Sequence, residues 1–162
     1  MKKPLSISSA EVSVFSYSTE DETKVQRAVL NAFPQDLAGV IRFSSQSLKG
    51  HYNDKIVVLK TEMKKEAQHF TEHLLSHFTP MDRRKLLDEL GDRVDSSGNL
   101  YLRLNKQEAF LGNIELGESD PIRIKLKFKS SGKSVSIFSI REVLSTLLRE
   151  TQDSQRDRGF QN

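Results

Sequence analysis

The chain has 162 residues, 36% of them hydrophobic and 29% charged, a size and balance that suit one folded domain with a proper core and exclude a disordered chain. It has no cysteine, which removes disulfides, thiolate metal sites and cysteine nucleophiles, and no stretch approaches the roughly 20 apolar residues of a membrane span. Lys and Arg number 25 against 22 Asp and Glu, a net charge of +3, yet 122–133 alone carries +5, so the remainder is net −2 and the basic character is local.

Glu11–Tyr17 is β-branched and aromatic and predicts a first strand. Thr19-x-x-Glu22 has the form of a capping box, and the helix it opens carries Val25, Ala28, Val29 and Ala32 on one stripe before Phe33-Pro34 closes it. A short strand is expected at Gly39–Phe43, a polar connection over Ser44–Lys55, and a central strand from Ile56 to Leu59 or Met63. Two helices follow, with Ala67, Phe70, Leu74 and Phe78 as one stripe and Leu86, Leu87, Leu90 and Val94 as the next. Thr79-Pro80 supplies an N-cap and a proline at the first position of the second.

Asp95–Gly98 reads as a turn, after which Leu100, Leu102 and Leu104 alternate with Tyr101 and Arg103. A tight reversal at Asn105–Glu108 leads to a strand over Ala109–Leu116, and Gly117–Pro121 turns into Ile122–Lys129. Ser139-x-x-Glu142 opens a last helix with Ile140, Val143, Leu144 and Leu147 inward. The tail from Thr151 is polar and is expected to be disordered. The order β-α-β-β-α-α-β-β-β-α implies a two-layer α+β fold, a mainly antiparallel sheet with helices on one face, in a single domain over 1–150 with a tail at 151–162. The other sheet face is then left to solvent, a partner or a ligand.

Ile122–Lys129 is the most informative segment. Apolar and cationic residues alternate without a miss, and successive side chains on a strand point to opposite faces. Arg123, Lys125, Lys127 and Lys129 therefore form one row with no acid among them, with Lys133 just beyond. Such a row suits a polyanion. It also suits an edge strand, where lysines block pairing with another sheet. His51-Tyr52, on a polar loop, offers an imidazole and an aromatic ring of the kind that stack on unpaired bases, or a cap on the hydrophobic layer. Asn105-Lys106-Gln107 places long polar side chains at a reversal.

His69, His73 and His77 recur every four residues, a spacing at which two imidazoles can chelate Zn²⁺ or Ni²⁺. They border the polar side of their helix with no further ligand in view, and the expectation is a solvated stripe, with no metal and no cofactor. Gly132-Lys133-Ser134 lacks the earlier glycine of a phosphate-binding loop, and no nucleophile elbow, dinucleotide fingerprint or zinc-protease motif occurs. A non-enzyme is expected. Residues 1–9 lack the apolar run of a signal peptide, so the cytoplasm is the expected compartment.

Gly50-His51-Tyr52, then the run from Asp95 through Tyr101-Leu102-Arg103-Leu104-Asn105-Lys106-Gln107, then Asp120-Pro121-Ile122, together resemble an archaeal family of predicted RNA-binding, exosome-associated proteins. Members of that family are similar in fold to the large-subunit ribosomal protein that binds the smallest ribosomal RNA. The resemblance spans about Glu11 to Lys129. The chain departs from the family pattern at Asn105, where Asp is usual, and at Asn53-Asp54-Lys55, where a Gly-Asn-Pro-like turn is usual. The resemblance implies a non-catalytic RNA binder, accessory to RNA processing or the exosome, with His51, Tyr52, Arg103, Lys106 and Gln107 among the positions able to touch RNA. The competing expectation is a protein–protein adaptor or homodimer that uses the open sheet face without RNA.

Overall fold

In a computed structural model that describes residues 5–132 and 134–159, with side chains as far as Thr151, one antiparallel sheet organises the chain. Its strands are β1 (Ser6–Tyr17), β2 (Ser44–Lys49), β3 (Lys55–Met63), β4 (Asn99–Leu104) and β5 (Ile122–Lys129), in spatial order β2-β3-β1-β5-β4. Seven helices complete the described residues: α1 (Glu22–Leu30), α2 (Gln35–Ala38), α3 (Ala67–Ser76), α4 (Pro80–Asp88), α5 (Leu90–Arg93), α6 (Lys106–Phe110) and α7 (Ile137–Gly159). This is the expected two-layer α+β arrangement.

The pleat sorts the strands into two faces. Val12 and Val14 of β1, Leu59 of β3, Leu100, Leu102 and Leu104 of β4, and Ile122, Ile124, Leu126 and Phe128 of β5 are buried against the helices. A bulge between Ile7 and Ser9 keeps Ile7 in the same layer. The helices answer with Val25 and Val29 of α1, Phe70, Leu74 and Leu75 of α3, Leu86 of α4, Leu90 of α5 and Ile140 and Leu144 of α7. Phe33 and Phe70 stack at 4.6 Å between ring centroids where α1 leaves the core. Truncating any of the fully buried leucines would cost on the order of 3 kcal/mol.

Several boundaries differ from the sequence reading, each for a local reason. Asp21, not Thr19, caps α1, accepting from the Thr23 N–H at 2.9 Å. Thr79 caps α4 as expected, accepting from the Asp82 N–H at 3.1 Å, but the helix breaks at Glu89 and restarts as α5. Gly39–Phe43 is not a strand: the N–H groups of Val40 and Ile41 both bond back to the Leu37 carbonyl, extending the turn of α2. The pairing strand is instead Ser44–Lys49, every residue of which is exposed.

The strand expected over Ala109–Leu116 is replaced by α6, because Asn105 Oδ1 caps the Glu108 N–H at 3.0 Å; only Leu116 still bridges to Leu104. α7 begins at Ile137, with Ser136 and Ser139 exchanging N–H···Oγ bonds of 3.2 Å, so the start falls before the expected Ser139. Its backbone stays helical to Gly159, beyond the Thr151 at which a disordered tail was expected.

His69, His73 and His77 line the rim of α3. His69 Nε2 meets Asp36 at 3.0 Å, and the His73 and His77 rings approach to 4.4 Å. Among the described residues no three His, Asp or Glu side chains gather closely enough to hold a metal ion. Burial first, and then the charges of His77 and His69, lower the His73 pKa to about 4; Asp36 opposes this weakly.

The consequence for stability has a definite sign. Unfolded His73 titrates near its ordinary 6.5, so between that pH and about 4 the unfolded chain binds the proton that the fold resists. Stability should fall as pH drops through this window, and His73 should add no further slope below it. Urea unfolding of His73→Gln should show a shallower loss of midpoint between pH 6.5 and 4 than the parent; parallel curves would show that His73 does not carry the effect.

Candidate nucleic-acid interface

Strand register fixes which side chains share the bare face. β5 is paired on both sides, to β1 and to β4, so its cations do not guard an edge. The edges are β2 and β4. The edge-protection reading of the lysine row is thereby removed, and the row lies inside the open surface.

Across that surface Arg123 lies opposite Arg103 of β4 and Ser13 of β1, Lys125 opposite Tyr101 and Glu11, and Lys127 opposite Asn99 and Ser9; Lys129 faces Ser6. Arg123, Lys127 and Lys129 are exposed and Lys125 is half-buried. Among the described residues no carboxylate stands within ion-pair distance of any of the four. Glu11, the acid nearest in register, is engaged by Lys60 at 3.1 Å. The guanidinium of Arg123 sits 4.8 Å over the Phe15 ring, and the ammonium of Lys125 sits 5.9 Å over Tyr101.

Arg103 joins this surface but is neutralised. Its guanidinium meets Glu118 at 2.9 Å, and Glu118 also lies 3.7 Å from Arg93, which bonds Glu89 at 2.8 Å. Tyr101 is held from the other side, donating its hydroxyl to Asp95 at 2.8 Å. Hydrogen bonds to Asp95 from the Asn99 side chain foremost, then the Asn99 backbone, Tyr101 and Ser97, hold that carboxyl well below the usual range; the same bond raises the Tyr101 pKa.

The other expected contact residues are placed elsewhere. Lys106 does not project from a hairpin tip: it is the first residue of α6 and is buried. Its ammonium contacts Glu20 at 2.9 Å, Asp120 at 2.6 Å and the Phe15 carbonyl at 3.0 Å, and lies 5.3 Å over the Tyr17 ring. It ties α6, β1 and the approach to β5 together from inside. Gln107 is exposed and lines a groove between α6 and α1. His51 and Tyr52 sit at the tip of the β2–β3 hairpin, their rings edge-on at 5.1 Å, with Tyr52 88% exposed. Asn53 takes a left-handed φ of 64° there, and a side chain on Gly50 would strike Asp54, with Cβ only 2.6 Å from Oδ1. Lys49 and Lys55 pair at the hairpin base and, by the pleat, point away from the β5 row. Lys133 lies outside the described residues.

Sequence reasoning passed over Phe15, Tyr17 and Tyr101 as site residues, although all three are on the bare face, Tyr101 at 40% exposure. Their signal was the same two-residue period that marked the β5 cations, running through β1 and β4.

The sheet is thus antiparallel, with helices packed on one side and the β5 cations on the other. Residues 9–128, from within β1 to within β5, match the family model described as RNA binding, and the chain belongs to that RNA-binding family. RNA-binding protein PAB1135 of Pyrococcus abyssi is 29% identical over 139 residues, spanning 82% of this chain and 90% of that protein. Protein AF2318 of Archaeoglobus fulgidus, of the DUF54 family, superposes with a TM-score of 0.74 at 29% identity, covering 88% of this chain and 99% of its own. A DUF54 protein from Methanothermobacter thermautotrophicus gives 0.70 at 29% identity, over 88% and 98%.

The placement of Lys106 carries its own consequence. Removing one member of a buried, hydrogen-bonded ion cluster leaves its partners uncompensated, which costs on the order of 3 kcal/mol. Lys106→Ala should lower stability by about that amount in urea unfolding. A fully stable variant would show that the cluster is not a structural tie.

Proposed function

We propose that the protein is a non-catalytic RNA-binding module that takes the RNA backbone onto the open face of its sheet. The observation that carries this reading is the row Arg123, Lys125, Lys127 and Lys129, which lies on an interior strand of the sheet, faces away from the core and has no ion-paired acids among the described residues. Membership of the RNA-binding family and the name of the Pyrococcus abyssi relative point the same way. The four cations neutralise phosphates. Arg103 adds hydrogen bonds once it exchanges Glu118 for an RNA phosphate. Tyr52 and His51 reach a neighbouring stretch from the hairpin tip, whereas Gln107, in the groove between α6 and α1, is left out of this contact set. Contacts to phosphate position a ligand and discriminate little between sequences. An accessory role in RNA processing, at the exosome in particular, and a cytoplasmic setting rest on the resemblance noted in the sequence.

The joint substitution Lys125→Glu and Lys127→Glu tests the reading. Each phosphate contact contributes a slope of about −0.7 in log K against log salt for single strands, so losing two should flatten the slope by about 1.4 and weaken binding at 100 mM salt. Lys127 is exposed and Lys125 half-buried opposite Glu11, so the pair should cost on the order of 1 kcal/mol of stability, well short of unfolding. Gel shifts with mixed-sequence RNA across a salt series measure the first, and urea unfolding the second. Unchanged affinity would take β5 out of the interface. A clean dimer by light scattering with no shift at micromolar protein would favour an adaptor instead.

A further inference from the structure

The face that carries the cations has a second property that phosphate binding does not explain. On a solvated sheet face polar residues are the rule. Here the row Tyr17–Ile56–Leu48 crosses three strands on the solvent side, and Phe15–Val58 makes the next row. Leu48 is 43% exposed, while Phe15, Ile56 and Val58 are each half-buried, as is Tyr17, whose ring has the Lys106 ammonium of α6 over it at 5.3 Å. Tyr101 stands on the other flank, opposite Lys125. The face is therefore divided, with an apolar, aromatic sector over β2, β3 and the end of β1, and a cationic sector over β5 and β4. The His51–Tyr52 tip extends the first sector beyond the sheet.

Resting on the RNA-binding reading above, we propose that this face is a platform for unpaired RNA, whose bases lie on Phe15 and Tyr101 while its phosphates follow the β5 row. A duplex presents phosphates, sugars and groove edges, with its base faces already stacked on one another, and would leave the aromatic sector in water. A single strand exposes both chemistries side by side. Aromatic faces accept any base, and ammonium and guanidinium groups beside them strengthen the contact. Arg123 over Phe15 and Lys125 over Tyr101 already hold a cation against one face of each ring. Alternate residues of β5 step about 6.8 Å, comparable with one nucleotide of an extended strand. By the same strand geometry Phe15 and Tyr101 lie about 17 Å apart, two strands over and four positions along, so a single strand crossing from one to the other passes over the β5 row.

The chain supplies its own probe. It has three tyrosines and no tryptophan, and Tyr17, Tyr52 and Tyr101 all belong to this face or its tip. Intrinsic emission thus reports stacking here with no background from elsewhere. The full chain is titrated with a short oligouridylate and with a blunt RNA duplex of equal length in one low-salt buffer, read by anisotropy of the labelled RNA and by tyrosine emission.

The expected result is at least roughly tenfold tighter binding of the single strand, with quenched tyrosine emission. Tyr101→Leu and Phe15→Leu should each weaken oligouridylate binding about five- to a hundredfold, while Tyr101→Phe, which keeps the ring and loses only the hydroxyl bond to Asp95, should bind like the parent. If Phe15→Leu unfolds the domain, the Tyr101 pair decides alone. Equal or tighter duplex binding with unchanged tyrosine emission overturns the platform and leaves phosphate-directed RNA binding standing. No binding of either RNA overturns both.

Discussion

The register of β5 is the constraint on which the rest depends. With a side-chain period of two, a one-residue slip against β1 would carry Arg123, Lys125, Lys127 and Lys129 into the core and put Ile122, Ile124, Leu126 and Phe128 into water. Burying four charges without partners is prohibitive. Since β5 is paired on both sides, the same choice propagates to β1 and, through β1, to β3, while β4 is locked directly. The apolar half of the alternation thus builds the helix-facing core, and the cationic half is displayed on the bare face as a geometric consequence. Fold and surface share one cause.

Which cations remain available is decided by what lies opposite each of them, not by sequence charge. Lys106 is consumed by Glu20 and Asp120 inside the fold; Arg103 is shared with Arg93 through Glu118; Lys60 is taken by Glu11. On the open face the β5 row keeps its charge without an ion-paired acid among the described residues. Lys60 has a further effect: by occupying Glu11 it draws aside the acid that register places beside Lys125.

Much of this was legible from residues alone, and the failures have a pattern. β5, β1, β4 and the stripes of α1, α3 and α4 were readable because each buries one face only, which imprints a period on the chain. β2 was unreadable because Ser44–Lys49 is exposed on both faces, so nothing in its composition had to alternate. The neighbouring Gly39–Phe43 looked more strand-like only because it is more apolar. The reversal at Asn105 was misjudged since an Asn before Lys-Gln-Glu fits a hairpin or a helix cap equally; in the fold it is a cap, its Oδ1 accepting from the Glu108 N–H. The inward path of Lys106 needed the positions of Glu20 and Asp120, distant in sequence. Tyr17 and Tyr101 were misjudged differently: their phase was visible, but which face would be left bare was not.

The open face also departs from what stability alone would select. Arg103 and Arg123 stand directly opposite one another, a like-charge pairing that destabilises a sheet, and Glu118 relieves only one of them. Beside them the rows led by Tyr17 and Phe15 keep apolar surface in water. Two costs of opposite chemistry, repulsion among cations and unburied rings, adjoin on one surface, while the helix-facing side is packed mainly with aliphatic and aromatic side chains. Violations of local preference that gather in one place are what a functional or strained site is expected to show. One ligand relieves both at once if it is anionic along its spine and aromatic along its flank, and unpaired RNA has that constitution.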